Sequence, residues 1–204
     1  MLNRYARAFF TKVFTPVASL LLRLGISPDV VTVVGTIGVC SAALYFYPRG
    51  DFLVGTLVIV AFIFSDTIDG VMARRSGRSS TWGAFLDSTL DRVQDGAIFG
   101  GLVLWYAGGG RSAYMAGLAL ACLILGFVVS YSKARAEGLG MTANVGIAER
   151  ADRLVAVLVT TGLVGLGLPE IVLGVVLGLL ALASLITIIQ RMWAVRVQAL
   201  AAAS

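Results

Sequence analysis

The chain has 204 residues, of which 58% are hydrophobic and only 13% charged, with a formal net charge of +5 and a mean hydropathy of +0.92. A water-soluble domain of this length has too high a surface-to-volume ratio to hide so much apolar matter. That excludes an ordinary soluble globule and points to an all-α integral membrane protein.

In chain order, the opening MLNRYARAFFTKVFTPVASLLLRLG carries Leu2, Phe9, Phe10, Val13, Val17, Leu20 and Leu21 at roughly helical spacing, interleaved with Arg4, Arg7 and Lys12. Its basic residues run on to Arg23 instead of stopping before an apolar core, which is unlike a secretory leader. The pattern predicts an amphipathic juxtamembrane helix over 1–25, lying on the membrane surface and bent near Pro16.

Apolar runs of about 20 residues then predict six transmembrane helices, over approximately 30–47, 52–74, 82–106, 113–137, 150–167 and 170–193. The breaks YPRGD, YAGGGRS and GLGLPE are short and rich in Gly or Pro. Helices 2 and 3 are joined by RRSGRSST, and helices 4 and 5 by the longer AEGLGMTANVGIAE. No linker divides the chain, so 1–204 reads as a single membrane domain with its six-helix bundle over 30–193.

All but Arg49 and Arg111 of the 16 Lys and Arg lie on or near the side shared by the two termini and the 2–3 and 4–5 connections. The positive-inside rule makes that side cytoplasmic. A multi-pass protein of the cell (plasma) membrane, with both termini inside, is the expectation.

Helix 2 ends, and helix 3 begins, on this same side, and there the sequence carries DTIDGVMARRSGRSSTWGAFLDSTLD, residues 66–91. Asp66 lies eight residues before Arg74, about 12 Å along a helix. Asp66 and Asp69 are spaced i, i+3, and Asp87 and Asp91 i, i+4, so each pair shares a helix face. Four crowded carboxylates do not all stay ionised without positive charge among them, and neither helix has a lysine at that depth. Hard divalent cations answer better. All-oxygen ligation in a chain without histidine favours Mg²⁺ or Mn²⁺, and two such ions suit four carboxylates, with Asp66 and Asp87 as bridging ligands. The two cysteines, Cys40 and Cys122, lie in apolar runs and argue for neither a disulfide framework nor a thiolate site. The competing explanation, ion pairs with Arg74, Arg75, Arg78 or Arg92, accounts poorly for four aspartates in this register. Gly70 and Ala73 would let a ligand approach the helix closely, though small residues serve helix packing equally well; Gly83 raises the same ambiguity. Arg74 and Ser80 are placed to touch a phosphate or a nucleotide.

The segment Asp66-x2-Asp69-Gly70-x2-Ala73-Arg74-x8-Gly83-x3-Asp87-x3-Asp91 resembles the full motif of the CDP-alcohol phosphotransferase family. The resemblance implies six transmembrane helices, a homodimer and two divalent metals per active site. It also implies transfer of a phosphatidyl group from CDP-diacylglycerol (CDP-DAG), or a related CDP-alcohol, to an acceptor hydroxyl with release of CMP. By the same resemblance Asp66, Asp69 and Asp87 are the main metal ligands, and Asp91 is both a ligand and the general base. Gly70, Ala73, Arg74 and Ser80 contact the CDP moiety, as does PDVVT, whose Asp29, Val30, Val31 and Thr32 resemble the family's nucleotide-contacting segment. A two-metal clamp suits a pyrophosphate diester, which needs charge neutralised in line with the attack. Asp95 extends the helix 3 spacing by one turn outside the motif and reads as a supporting or packing group.

A second polar cluster bears on the acceptor. Lys133 and Arg135 in SYSKARAEG, Arg150 and Arg153 in AERADRL, and Arg191 in QRMW all fall on the aspartate side. Lys133, Arg135, Arg153 and Arg191 are candidate ligands for a dianionic phosphate, although positive-inside flanks need no ligand at all. SYSKARAEGLG, GxxERADRL and GISPDVVT resemble the corresponding stretches of the actinobacterial branch of the family that makes phosphatidylinositol phosphate, which implies inositol monophosphate as acceptor. Glycerol 3-phosphate is the alternative, since it too is a phosphomonoester. A membrane transporter with the aspartates as an ion pathway is a reading from another class, but the acids cluster at one end and no inverted repeat is visible. The partners expected are these two substrates and membrane lipid, with no nucleic acid.

Overall fold

The structure, a computed structural model, describes residues 15–76 and 80–202, with side chains at all of these except 65–67, 75 and 76. Six long helices follow one another: α1 (Pro28–Phe46), α2 (Phe52–Ser76), α3 (Thr81–Ala107), α4 (Ala113–Gly138), α5 (Arg150–Gly165) and α6 (Glu170–Ala201). Residues 15–23 are also helical, and a 3₁₀ turn, Tyr47–Arg49, links α1 to α2. No strand occurs among the described residues.

The helix starts follow from local chemistry. The hydroxyls of Ser27, Ser80 and Ser112 accept from the backbone N–H groups of Val30, Gly83 and Met115, capping α1, α3 and α4. At α5 the Asp152 carboxylate accepts from the Glu149 N–H at 3.2 Å, as one half of a capping box does.

Four helical segments among the described residues are long and apolar enough to cross a membrane: Pro28–Arg49, Phe52–Arg74, Ala113–Gly138 and Glu170–Ala201. They also expose large side chains such as Val34, Ile37, Leu57, Ile124, Leu179 and Ile186, as a lipid-facing surface does. The protein is an all-helical membrane protein. The other two helices differ for physical reasons. At 16 residues α5 is short, and the N-terminal stretch of α3 carries Asp87, Asp91, Arg92 and Asp95.

α1 packs against α2 and α3, α3 against α4, α4 against α6, α6 against α5, and α5 against α2. The helices therefore close a ring in the order α1–α3–α4–α6–α5–α2. The starts of α1, α3 and α5 and the ends of α2, α4 and α6 share one end of the bundle, termed the polar end below. Val39, Ile59, Ile98, Leu102, Val157 and Leu177 belong to the main apolar core. A Cβ on Gly101 would lie 2.7 Å from the Ala43 carbonyl oxygen, so α1 and α3 touch there because a glycine permits it. Ala18, Val71 and Met72 form a second small core, with Leu21, Leu22 and Val31 against it. This core docks residues 15–23 onto the polar end. The predicted amphipathic residues Leu2, Arg4, Arg7, Phe9, Phe10, Lys12 and Val13 lie outside the described residues.

Candidate active site

The predicted donor-side residues come together where α1 and α3 begin and α2 ends. Asp29, in the first turn of α1, accepts a hydrogen bond from the Trp82 indole at 3.1 Å. A Cβ on Gly83 would lie 3.3 Å from the Ser80 hydroxyl and 4.0 Å from Asp29. Gly83 thus keeps a close approach open between the two helix starts. The Ser80 hydroxyl is already committed to the Gly83 N–H at 2.9 Å. One turn further on, the buried Thr32 hydroxyl lies 3.1 Å from the Pro28 carbonyl and 2.5 Å from Asp69 Oδ2. Val30 is exposed, and Val31 packs against the small core. On α2 the exposed Arg74 folds back over Gly70, where a Cβ would lie 3.5 Å from its Nη1. Ala73, beside them, is half-buried.

The carboxylates sit in unlike surroundings. Asp69 is 6% exposed, whereas Asp87 is exposed. Asp66 lies on α2, and its carboxylate is outside the described side chains. Among the described residues no three His, Cys, Asp or Glu gather closely enough to hold a metal ion. Asp91 is engaged elsewhere: its Oδ1 lies 2.6 Å from Arg150 Nη1 and its Oδ2 3.5 Å from Arg92 Nη2. Asp95 is buried at 3% and faces three guanidinium groups, those of Arg150 at 3.0 Å, Arg92 at 3.6 Å and Arg153 at 3.8 Å. Arg92 also donates to the Ser130 hydroxyl on α4.

The four predicted acceptor cations divide into two kinds. Lys133 is half-buried and Arg135 exposed, both in the last turns of α4. Arg153 and Arg191 are buried, at 1% and 4%. Arg153 Nη1 donates to the Ala148 carbonyl at 3.2 Å. Arg191 donates from Nε to the Val145 carbonyl at 2.9 Å and from Nη1 to the Val129 carbonyl. Thr187 completes the clamp by accepting from the N–H groups of Ile147 and Ala148, each at 3.1 Å. Gly146 makes this possible: its φ is +139°, and a Cβ would lie 2.3 Å from Thr187 Cγ2. The chain entering α5 is thereby fixed by side chains of α5 and α6. Sequence reasoning missed the commitment of Arg150 to α3; the i, i+4 repeat from Asp91 to Asp95 was its only trace.

With this geometry in place, comparison with known proteins identifies the class. The CDP-alcohol phosphatidyltransferase family matches residues 25–148, and the chain belongs to that family. It is therefore an enzyme of the phosphatidyltransferase class. It is similar to the phosphatidylinositol phosphate synthase of Streptomyces avermitilis, 56% identical over 96% of this chain and 83% of that protein. The synthase of Cutibacterium acnes is 49% identical over 93% of this chain and 95% of that one. The crystal structure of the Mycobacterium tuberculosis phosphatidylinositol phosphate synthase with CDP-DAG bound superimposes with a TM-score of 0.87 at 41% identity, covering 90% of this chain and 94% of that one. The same synthase in complex with manganese and citrate gives a TM-score of 0.85 at 42% identity, covering 89% of this chain and 88% of that one.

Proposed function

We propose that the chain transfers the phosphatidyl group of CDP-DAG to a hydroxyl of inositol monophosphate, giving phosphatidylinositol phosphate and CMP. The observation that carries this reading is a convergence at the polar end of the bundle. A donor-side group (Asp29, Thr32, Gly70, Arg74, Gly83), the carboxylates of Asp69, Asp87 and Asp91, and the cations of α4, α5 and α6 all lie toward that end. The names of the relatives favour inositol phosphate over glycerol 3-phosphate.

In this reading α3 and α5 also cross the bilayer, making six spans in one domain. The 27 residues of α3 suffice, and its Asp91 and Asp95 meet guanidinium groups of the bundle rather than lipid. The 16 residues of α5 span about 24 Å, a mismatch that bilayers accommodate by local thinning. The basic bias puts the polar end and both termini in the cytoplasm, with residues 1–25 on the membrane surface. The enzyme works as a homodimer, as the family resemblance implies.

The donor chemistry fits hard divalent cations. Asp66, Asp69, Asp87 and Asp91 offer only carboxylate oxygens, in a chain without histidine. A carboxylate as buried as Asp69 gains from a cation beside it. Two ions, Mg²⁺ or Mn²⁺, held by these four residues would supply charge neutralisation at the pyrophosphate. Arg74, with Gly70 and Ala73, borders the pyrophosphate, while the segment Asp29–Thr32 and Ser80 line the nucleotide. Asp91 takes the proton from the acceptor hydroxyl. The freed oxygen bonds to the phosphatidyl phosphorus as its bond to the CMP oxygen breaks. Lys133, Arg135, Arg153 and Arg191 bind the acceptor phosphate. The first two bear on it directly; the buried pair also holds residues 145–148 in place.

An acceptor panel tests the reading: purified protein, CDP-DAG and divalent cation, with inositol phosphate, inositol, glycerol 3-phosphate or serine. CMP release is expected with inositol phosphate far above the others. Preference for glycerol 3-phosphate would move the assignment to the phosphatidylglycerophosphate branch.

A further inference from the structure

Arg150 is the first residue of α5, where a cation works against the helix dipole. Its position there therefore calls for compensation, and it comes from across the ring. α3 and α5 are not neighbours in the helix order, yet one guanidinium joins them through three separate N–H groups. Nη1 lies 2.6 Å from Asp91 Oδ1, Nε donates to Asp95 Oδ1 at 3.0 Å, and Nη2 donates to Gln94 Oε1 at 2.9 Å. Nη2 also reaches the Asp91 carbonyl at 3.5 Å.

These partners are unequal. Gln94 and Asp95 are buried, and Gln94 is fixed from its other side by donating to Thr36 on α1 at 3.1 Å. The Asp91 side chain is more open, at 18%. Gln94 and Asp95 therefore fix the guanidinium plane, and the guanidinium in turn fixes the Asp91 carboxylate. A planar fork of donors can do this; an ammonium keeps the charge but cannot span three acceptors at fixed angles.

We propose that Arg150 is a positioning residue for Asp91. It transmits the rigid Thr36–Gln94–Asp95 frame to the carboxylate that takes the acceptor's proton. This rests on the role given to Asp91 above. Because Arg150 lies two residues after the clamped segment 145–148, it also ties the orientation of Asp91 to the wall of the acceptor site.

The test compares wild type with Arg150→Gln, Arg150→Lys and Asp91→Asn, measuring kcat, both KM values, CDP-DAG binding and the thermal midpoint. Loss of orientation at a reacting group costs up to about a hundredfold. Arg150→Gln is expected to lower kcat by roughly ten- to a hundredfold, with CDP-DAG binding and both KM values near wild type. Arg150→Lys should fall between the two. Where Arg150→Gln does not fold, the lysine variant decides, by a reduced kcat at unchanged KM values. A kcat at the wild-type level in both variants overturns the proposal. So does a rise in acceptor KM in place of the kcat loss, which would make Arg150 an acceptor ligand. Equal losses in both variants, accompanied by a lowered midpoint, would make it structural. Failure of the parent reading looks different. If wild type prefers glycerol 3-phosphate, the variants are scored with that acceptor; if Asp91→Asn keeps turning over, Arg150 has no base to position.

Discussion

The two ends of the bundle are held together by different forces. At the end away from the motif aspartates, Phe52 meets Tyr47 and Trp105 edge to face, with centroids 5.8 Å and 5.7 Å apart, and Tyr106 lies tilted against it at 6.4 Å. The Tyr47 hydroxyl is paired with Thr56 at 2.9 Å. At the polar end, buried Asp69, Gln94, Asp95, Arg153, Thr187 and Arg191 take the place of the apolar core. Burying an ion costs several kcal/mol before any partner is found. The aromatic end thus supplies stability, whereas the polar end carries a desolvation cost that only its ion pairs and hydrogen bonds offset. A protein selected for stability alone would not need the second arrangement. Variants at the polar end should change turnover first, and variants at the aromatic end should change stability first.

The strongest way to break that division is to remove divalent cation. Excess chelator is expected to abolish CMP release without unfolding the protein, and full turnover in chelator would remove metal from the mechanism. Asp91→Asn and Asp66→Asn sharpen the point. Both should abolish turnover, but Asp91→Asn should retain CDP-DAG binding better, because a base acts on the acceptor whereas a bridging ligand serves the pyrophosphate. Equal loss of donor binding, measured by titration of the purified variants, would collapse the two roles into one.

Within the polar end, Arg153→Ala and Lys133→Ala separate buried from open cations. Removing one partner of a buried pair costs about 3–5 kcal/mol, so Arg153→Ala should lower the thermal midpoint markedly as well as weaken the acceptor. Lys133 is half-buried, with no ion pair among the described residues. A charge-assisted contact contributes about 1.5–3 kcal/mol, so Lys133→Ala should raise the acceptor KM roughly ten- to a hundredfold. The midpoint and donor KM should stay near wild type. Unchanged kinetics in both variants would reduce these cations to positive-inside flanks.

Much of this was legible in the sequence, for identifiable reasons. The predicted helix limits agree with α1–α5 to within two residues at each end, because Ser27, Ser80, Ser112 and the Gly/Pro breaks punctuate a strongly apolar chain. α6 runs on to Ala201 instead of stopping near 193. VQALAAA contains no breaker, and Gln198 Nε2 pins that turn to the Thr142 carbonyl. The motif spacing put the expected donor-side residues and the aspartates at one end of the bundle, where the structure also has them, since i, i+3 and i, i+4 are local relations. What spacing does not encode is partnership between helices far apart in sequence. Arg150 and Arg153 lie in one short stretch and look alike, yet beyond the Asp95 they share, one holds Asp91 and the other the Ala148 carbonyl. Thr32, expected at the nucleotide, also hydrogen-bonds Asp69 on α2, a contact that its place in PDVVT does not announce. Asp95, one turn beyond the motif, has the surroundings of a supporting group: three guanidinium groups face it.

The smallest expected effect tests the aromatic end. Tyr47 is fully buried, and Tyr47→Phe keeps its ring contacts with Phe52 while deleting one hydroxyl. Thr56 is buried at 7% and would lose the partner of its own hydroxyl. A neutral buried hydrogen bond contributes about 0.5–1.5 kcal/mol, which for a chain of this size corresponds to a midpoint lowered by a few degrees. The residue stands at the opposite end of α1 from Asp29 and Thr32, so no acceptor, donor or metal contact changes with it. kcat and both KM values should match wild type at temperatures well below the midpoint. A midpoint shift with unchanged kinetics would leave the division between the ends intact. A kcat that falls with the hydroxyl would show instead that α1 couples the aromatic end to Thr32 and Asp69, and the two ends would have to be treated as one mechanical unit.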